Sequence, residues 1–139
     1  LGDGFSSASK NPLQIPSVTL KNGVGLPMVG LGTWQWNETT TYEGVLRALH
    51  LGYIHIDTAT MYKNQKAVGK AIKAWEKTSG GSRSDIFVTT KIPGGLDYAA
   101  AKTALYATLD ELDLDYVDLM LVHFPADWNM KGGKEMRVQ

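Results

Sequence analysis

The chain has 139 residues, 43% of them hydrophobic and 20% charged, which is the composition of a globular domain large enough to bury its own core. Fourteen basic residues balance fourteen acidic ones, so net charge offers no attraction to nucleic acid or to an anionic membrane. Cysteine is absent, which excludes disulfides and thiolate metal sites and suits a reducing, cytoplasmic setting. No apolar run is long enough to span a bilayer.

In chain order, residues 1–14 read as a polar arm with Asn11-Pro12 as a breaker and no apolar centre of a signal peptide. They begin without methionine, as a processed end would. Val18 to Leu20 and Val24 to Met28 read as two strands joined at Lys21-Asn22-Gly23, because Asn and Gly both tolerate positive φ. Val29 to Trp34, VGLGTW, reads as a tightly packed strand in which Gly30 and Gly32 leave room for a backbone or a ligand. Asn37-Glu38-Thr39 fits a glycosylation sequon, but without a secretory signal chance explains it better. A helix is expected over Thr40 to Leu51, with Thr40 and Glu43 as a capping box, Tyr42, Val45, Leu46 and Leu49 on one face, and Gly52 closing it.

Tyr53 to Asp57 reads as a buried strand ending in an acid. A helix follows from about Asn64 to Lys77, with Val68, Ala71, Ile72 and Trp75 at helical spacing, and a plain loop covers Thr78 to Ser82. Ile86 to Lys91, IFVTTK, is the next strand. Gly94-Gly95 and Asp97 reset the chain for a helix from Tyr98 to Leu112, whose face is Ala101, Leu105, Thr108, Leu109 and Leu112. Tyr116 to His123, YVDLMLVH, is the last strand, and the chain turns polar after Pro125, with Gly132-Gly133 in a basic loop.

A hairpin followed by strands alternating with amphipathic helices predicts an α/β fold with a parallel sheet, its near-continuous apolar strands buried on both faces. An open doubly wound sheet would show a Gly-rich phosphate loop after its first strand, and none of that pattern occurs. A (β/α)8 barrel suits a hairpin that plugs one end. Four strands make half of such a barrel, which takes about 250 residues. Residues 15–139 are therefore expected to be the N-terminal half of a single barrel whose remainder is missing from this chain, ending in an exposed loop from Lys131 to Gln139.

Parallel strands bring their C-terminal ends to one rim, where barrel sites are built. Three strands here end in Asp57, Lys91 and His123, and Tyr62 lies just past the first. Each has an ordinary explanation alone: a cap, a lysine reaching solvent, a satisfied core histidine, a packed tyrosine. Four titratable groups at matching strand ends favour chemistry instead. A tyrosine hydroxyl titrates near 10, roughly; a neighbouring ammonium stabilises the phenolate, and a carboxylate keeps the ammonium charged and in place. A neutral imidazole can hydrogen-bond and orient a carbonyl. Such a set protonates a carbonyl oxygen while a cofactor delivers hydride, since no side chain can.

The stretches VTLKNGVGLPMVGLGTW, GYIHIDTATMYKNQKAVGKAI, IFVTTK and LDLDYVDLMLVHFP together resemble the N-terminal half of an aldo-keto reductase, from about Val18 to Trp128. The resemblance implies a (β/α)8 barrel of aldo-keto reductase type that binds NADP(H) at its C-terminal rim and reduces aldehydes or ketones. It implies Tyr62 as proton donor, Lys91 and Asp57 tuning it, and His123 orienting the carbonyl. Gly32, Thr33 and Trp34 would border the nicotinamide, with Asp57 near its ribose. Trp34, Phe124 and Trp128 would line an apolar substrate pocket. The partners implied are a small-molecule carbonyl and the C-terminal half of the same barrel, in the same chain or as a separate one. There are departures: Ile54 stands where the family often has arginine, Gln65 where glutamate is usual, and Pro93 and Phe124 where tryptophan is common. These leave the four reacting groups intact and the substrate open. The alternative is a non-catalytic NADP(H)-binding regulatory or structural protein on the same fold.

Overall fold

A computed structural model of the protein describes residues 14–125. The arm expected over residues 1–14 falls outside the described residues except for its last position. Trp128 and the loop expected from Lys131 to Gln139 also lie outside them.

The chain opens with an antiparallel hairpin of β1 (Ser17–Thr19) and β2 (Gly25–Pro27), Val18 opposite Leu26. The turn uses Gly23 at φ 84° and an Asn22 side chain that accepts from the Val24 amide at 3.2 Å. Then come β3 (Leu31–Gly32), α1 (Glu38–His50), β4 (His55–Asp57), α2 (Gln65–Ser79), β5 (Phe87–Ile92), α3 (Tyr98–Leu112) and β6 (Leu119–Val122). Two single turns of 3-10 helix, Thr60–Tyr62 and Arg83–Asp85, sit between them. The second directly follows the loop expected over Thr78 to Ser82, and Ser82 and Asp85 close it as a reciprocal capping box.

The four strands pair in parallel in the order β3-β4-β5-β6. A doubly wound sheet reverses its order at a switch point; this one does not. It is a length of barrel wall, with α1 packed on α2 and α2 on α3. The solved relatives described below carry the same barrel architecture.

Side-chain alternation divides the sheet. Ile56 and Val88 point to the helices, where they meet Val45, Leu49, Val68, Ala71, Ile72 and Leu112 in one core. The opposite face is mixed: buried Phe87 packs edge-on against His55 there, but the face is not continuously apolar. It carries a ladder of polar pairs, His55 with Thr89 and then Asp57 with Lys91. The outer strand β6 leaves Leu121 and Val122 exposed.

His55 fastens the hairpin to the N-terminal end of the wall. Its Nδ1 lies 3.0 Å from the Pro27 carbonyl, which can only accept, so Nδ1 carries the proton; its Nε2 lies 2.8 Å from the Thr89 hydroxyl. This arrangement explains one of the two glycines in VGLGTW: a Cβ on Gly30 would stand 2.8 Å from His55 Nδ1. A Cβ on Gly32, at the other end of the strand, would meet nothing within 4 Å.

The first helix begins earlier than the Thr40–Glu43 pairing suggests. Asn37 is its N-cap, and the Asn37 side chain accepts from the Thr40 amide at 2.8 Å. An Asn offers the same acceptor as a Thr, and Asn37 comes first in the chain.

Candidate functional site

The C-terminal ends of β4 and β5 bring three of the four expected groups into direct contact. The register sets Asp57 beside Thr89, so Lys91 lies one inward-facing position further along the neighbouring strand. Its long side chain reaches back diagonally to Asp57. All three protons of the Lys91 ammonium find acceptors: Asp57 Oδ1 at 2.6 Å, the Thr58 carbonyl at 2.9 Å and the Tyr62 hydroxyl at 3.3 Å. The Lys91 side chain is 13% exposed and that of Asp57 38%. The lysine is therefore shielded while the carboxylate still touches solvent, and Oδ2 of Asp57 has no partner among the described residues.

Tyr62 is delivered by the 3-10 turn Thr60–Tyr62, followed by Lys63 in the left-handed region at φ 57°. Thr60 ties the turn to β5 by donating to the Lys91 carbonyl at 3.0 Å. Because Lys91 donates to the phenol oxygen, the phenol proton remains free for another acceptor.

His123 completes the set through ring contacts. Its centroid is 5.7 Å from that of Tyr62, edge-on, and Phe124 stacks on its other side at 4.9 Å. Its backbone N–H donates to the Ile92 carbonyl at 2.9 Å, which continues the ladder past β6. Burial holds the imidazole below its ordinary value of 6.5; the nearby Lys91 charge lowers it further, and Asp57 opposes the shift. His123 Nδ1 is buried with no hydrogen-bond partner among the described residues.

Trp34, Met61, Tyr62, His123 and Phe124 line an open hollow of about 360 Å³. Trp34 is 55% exposed and packs at 4.9 Å against Tyr62. Trp34 and Phe124 both line this hollow, and Thr33 is not among its lining residues. It is fully buried, with its hydroxyl 3.0 Å from that of Thr58 and its carbonyl accepting from Asn64. Its polar groups are consumed inside the loop cluster, because a short β-branched side chain here points beneath the strand end.

Sequence reasoning missed Met61, Thr58 and Asn64. Met61 sits next to Tyr62 in a loop without periodicity, so nothing marks which way it points. Asn64 reads as the first residue of the second helix, which gives no sign of where its side chain turns. The missing signal was two threonines and an asparagine at three successive strand or helix boundaries, a pattern that hints at cross-loop hydrogen bonding.

The fold is a parallel wall with Asp57, Lys91, Tyr62 and His123 gathered at its C-terminal rim, and sequence comparison assigns the family. The sequence model of the Aldo/keto reductase family matches residues 23–130, and the chain belongs to that family. It is 48% identical over 109 residues to glycerol 2-dehydrogenase (NADP(+)) of Saccharomyces cerevisiae, covering 78% of this chain and 33% of that protein. It is 43% identical over 110 residues to a methylglyoxal reductase of Yersinia pestis, covering 79% and 38%. Among solved structures it superposes on a Bombyx mori aldo-keto reductase in complex with NADP with a TM-score of 0.76 and 34% identity, over 81% of this chain and 39% of that one. An aldose reductase of Schistosoma japonicum gives 0.76 and 33%, over 80% and 37%. The chain thus spans between a third and two fifths of the length of these relatives.

Proposed function

We propose that the complete protein carrying this segment is an NADP(H)-dependent oxidoreductase that reduces aldehydes or ketones to alcohols, with Tyr62 as the proton donor. The observation that carries this reading is the saturation of the Lys91 ammonium, whose third hydrogen bond ends on the Tyr62 oxygen. As Tyr62 gives its proton to a carbonyl oxygen in the hollow, negative charge grows on the phenol oxygen. The ammonium at 3.3 Å stabilises that charge in place, and Asp57 prevents the lysine from turning away. His123, held neutral by burial, orients the carbonyl. Trp34 and Phe124 supply apolar walls, and Trp128 is proposed to extend them.

The rim suits a nicotinamide nucleotide. A Cβ on Gly32 would meet nothing within 4 Å, which supports assigning the nicotinamide to this strand end, next to the exposed ring of Trp34. Oδ2 of Asp57, without a partner among the described residues, is the acceptor we assign to a sugar hydroxyl. When bound, NADPH supplies the hydride that no side chain can provide. Preference for NADP(H) is drawn from the relatives named above.

The outer strands β3 and β6 are proposed to pair with the remaining strands of a closed barrel, supplied by the same polypeptide or by a second chain. The exposed Leu121 and Val122 on β6 and the greater length of the relatives support this.

The test is Tyr62→Phe in the full-length protein, assayed by NADPH oxidation with a reactive aromatic aldehyde. Turnover should vanish while NADPH binding is largely kept. Undiminished turnover refutes the assignment. A wild-type protein that binds NADPH but turns over no aldehyde would instead favour the non-catalytic dinucleotide-binding reading.

A further inference from the structure

We propose that Asn64 is a positioning residue that fixes Trp34 against Tyr62 by clamping a strained turn. Asn64 directly precedes α2, yet its side chain makes no cap hydrogen bond to that helix. It is 1% exposed and turns the other way. Its Nδ2 donates to the Thr33 carbonyl at 2.8 Å and to the Trp36 carbonyl at 3.0 Å.

Those two carbonyls bracket the turn that displays Trp34. The turn is closed only by a long Trp36 N–H to Thr33 carbonyl bond of 3.4 Å, and Gln35 sits in it at φ 64°. A left-handed non-glycine residue is strained and persists only where its surroundings over-determine it. Two sets of contacts do so. Trp36 lies so close to α1 that a Cβ on Gly44 would stand 2.7 Å from its ring, and Asn64 holds both carbonyls. Asn64 is also two residues beyond Tyr62, across Lys63, which is left-handed too. One buried amide therefore joins the loop that presents the phenol to the loop that presents the indole. It sets the 4.9 Å contact between their rings, and with it one wall of the hollow.

This inference rests on the reading of Tyr62 as proton donor, and its test separates the two. In the full-length protein Asn64→Asp keeps the shape and removes both donors. Loss of two buried hydrogen bonds should speed exchange of the Trp36 amide with solvent by about tenfold or more. KM for a benzaldehyde should rise by about tenfold with kcat within about threefold, because the wall is disturbed and the reacting groups are not. Combined with Trp34→Ala, the variant should raise KM no further than Trp34→Ala alone. Gln35→Pro, at an exposed position, breaks the turn without touching Asn64, since proline cannot adopt positive φ, and should give the same rise. If Asn64→Asp does not fold, Gln35→Pro decides the matter alone.

Unchanged Trp36 exchange in folded Asn64→Asp overturns the inference, as does an unchanged KM in Gln35→Pro, or additivity with Trp34→Ala. Undiminished turnover by Tyr62→Phe removes the proton-donor reading on separate grounds. The exchange measurement needs no turnover, so it still decides whether Asn64 holds the turn.

Discussion

The Lys91 ammonium donates to the Tyr62 oxygen across 3.3 Å, and the same nitrogen is held by Asp57 at 2.6 Å. The order of these distances matters. The shorter bond anchors the lysine, and the longer one leaves room for the phenol oxygen to draw closer as charge develops on it.

Lys91→Met should therefore lower kcat for aldehyde reduction in the full-length protein by about 10²-fold or more. Stability should change little, because Asp57 is partly exposed and water can solvate it once the ammonium is gone. Steady-state kinetics and a thermal melt on the same preparation check both halves. A kcat within tenfold of wild type would show that Lys91 does not act on Tyr62.

His123 makes stability depend on pH. Its folded pKa lies below the ordinary 6.5, chiefly through burial. As pH falls below 6.5, the unfolded chain takes up a proton at this position while the folded protein does not, so folding weakens until the lowered folded value is reached. Above 6.5 both states are neutral here, and the position contributes no slope. Urea unfolding of wild type and His123→Gln between pH 7.5 and 5 should show a steeper acid loss in wild type. His50 and His55 are common to both proteins and cancel in the comparison. Parallel curves would contradict a folded pKa lowered by partial burial.

Much of this architecture was readable in advance because periodic signals are local. The helices containing Val45 and Leu49, or Val68 and Ile72, announce themselves through 3.6-residue spacing; the strand end at Asp57 follows from counting, and Lys91 and His123 fall within one residue of the observed ends at Ile92 and Val122. The polar contacts between loops were hidden. Thr33 with Thr58, Asn64 with Trp36, and Thr90 with Gln65 lie 25 to 28 positions apart, and no spacing rule marks which short polar side chains will meet. Thr33 was assigned by the family resemblance, which carries no information on its hydroxyl, buried here against that of Thr58. The inward polar ladder was obscured for another reason: Ile54-His55-Ile56-Asp57 is only four residues of alternation, too short to distinguish from an apolar strand with polar ends.

At the opposite end of the wall, Arg83 and Asp118 tie the start of β6 to that of β5. Asp118 Oδ2 accepts from Arg83 Nη2 at 2.7 Å and from the Val88 amide at 2.8 Å. The guanidinium also donates to the Ile86 and Tyr116 carbonyls and lies 4.1 Å above the Tyr116 ring. Both side chains are under one-fifth exposed. Asp118→Ala strands a shielded cation and a backbone N–H together, so it should cost about 3 kcal/mol of stability. Because this pair is remote from the hollow, kcat at a temperature where the variant stays folded should be unchanged. A loss under about 0.5 kcal/mol by chemical denaturation would mean that water replaces Asp118 without penalty.

Gly30 and Gly32 sit two residues apart in the same stretch and should respond oppositely to a methyl group. At Gly30 the added carbon would fall 2.8 Å from His55 Nδ1. That ring cannot easily yield, because Pro27 and Thr89 hold both its nitrogens. Gly30→Ala should therefore destabilise the fold by about 1–3 kcal/mol and loosen the hairpin, with little direct effect on the rim. At Gly32 the added carbon meets nothing, and Gly32→Val even favours strand geometry. Its stability should match wild type or exceed it. The branched side chain would instead fill the space proposed for the nicotinamide, so NADPH affinity in the full-length protein should fall by about tenfold or more. Denaturant unfolding and NADPH titration, run on both variants, cross the two effects. If Gly32→Val binds NADPH as well as wild type, the nucleotide does not approach the end of β3, and the proposed cofactor position is wrong even if Tyr62 proves to be the proton donor.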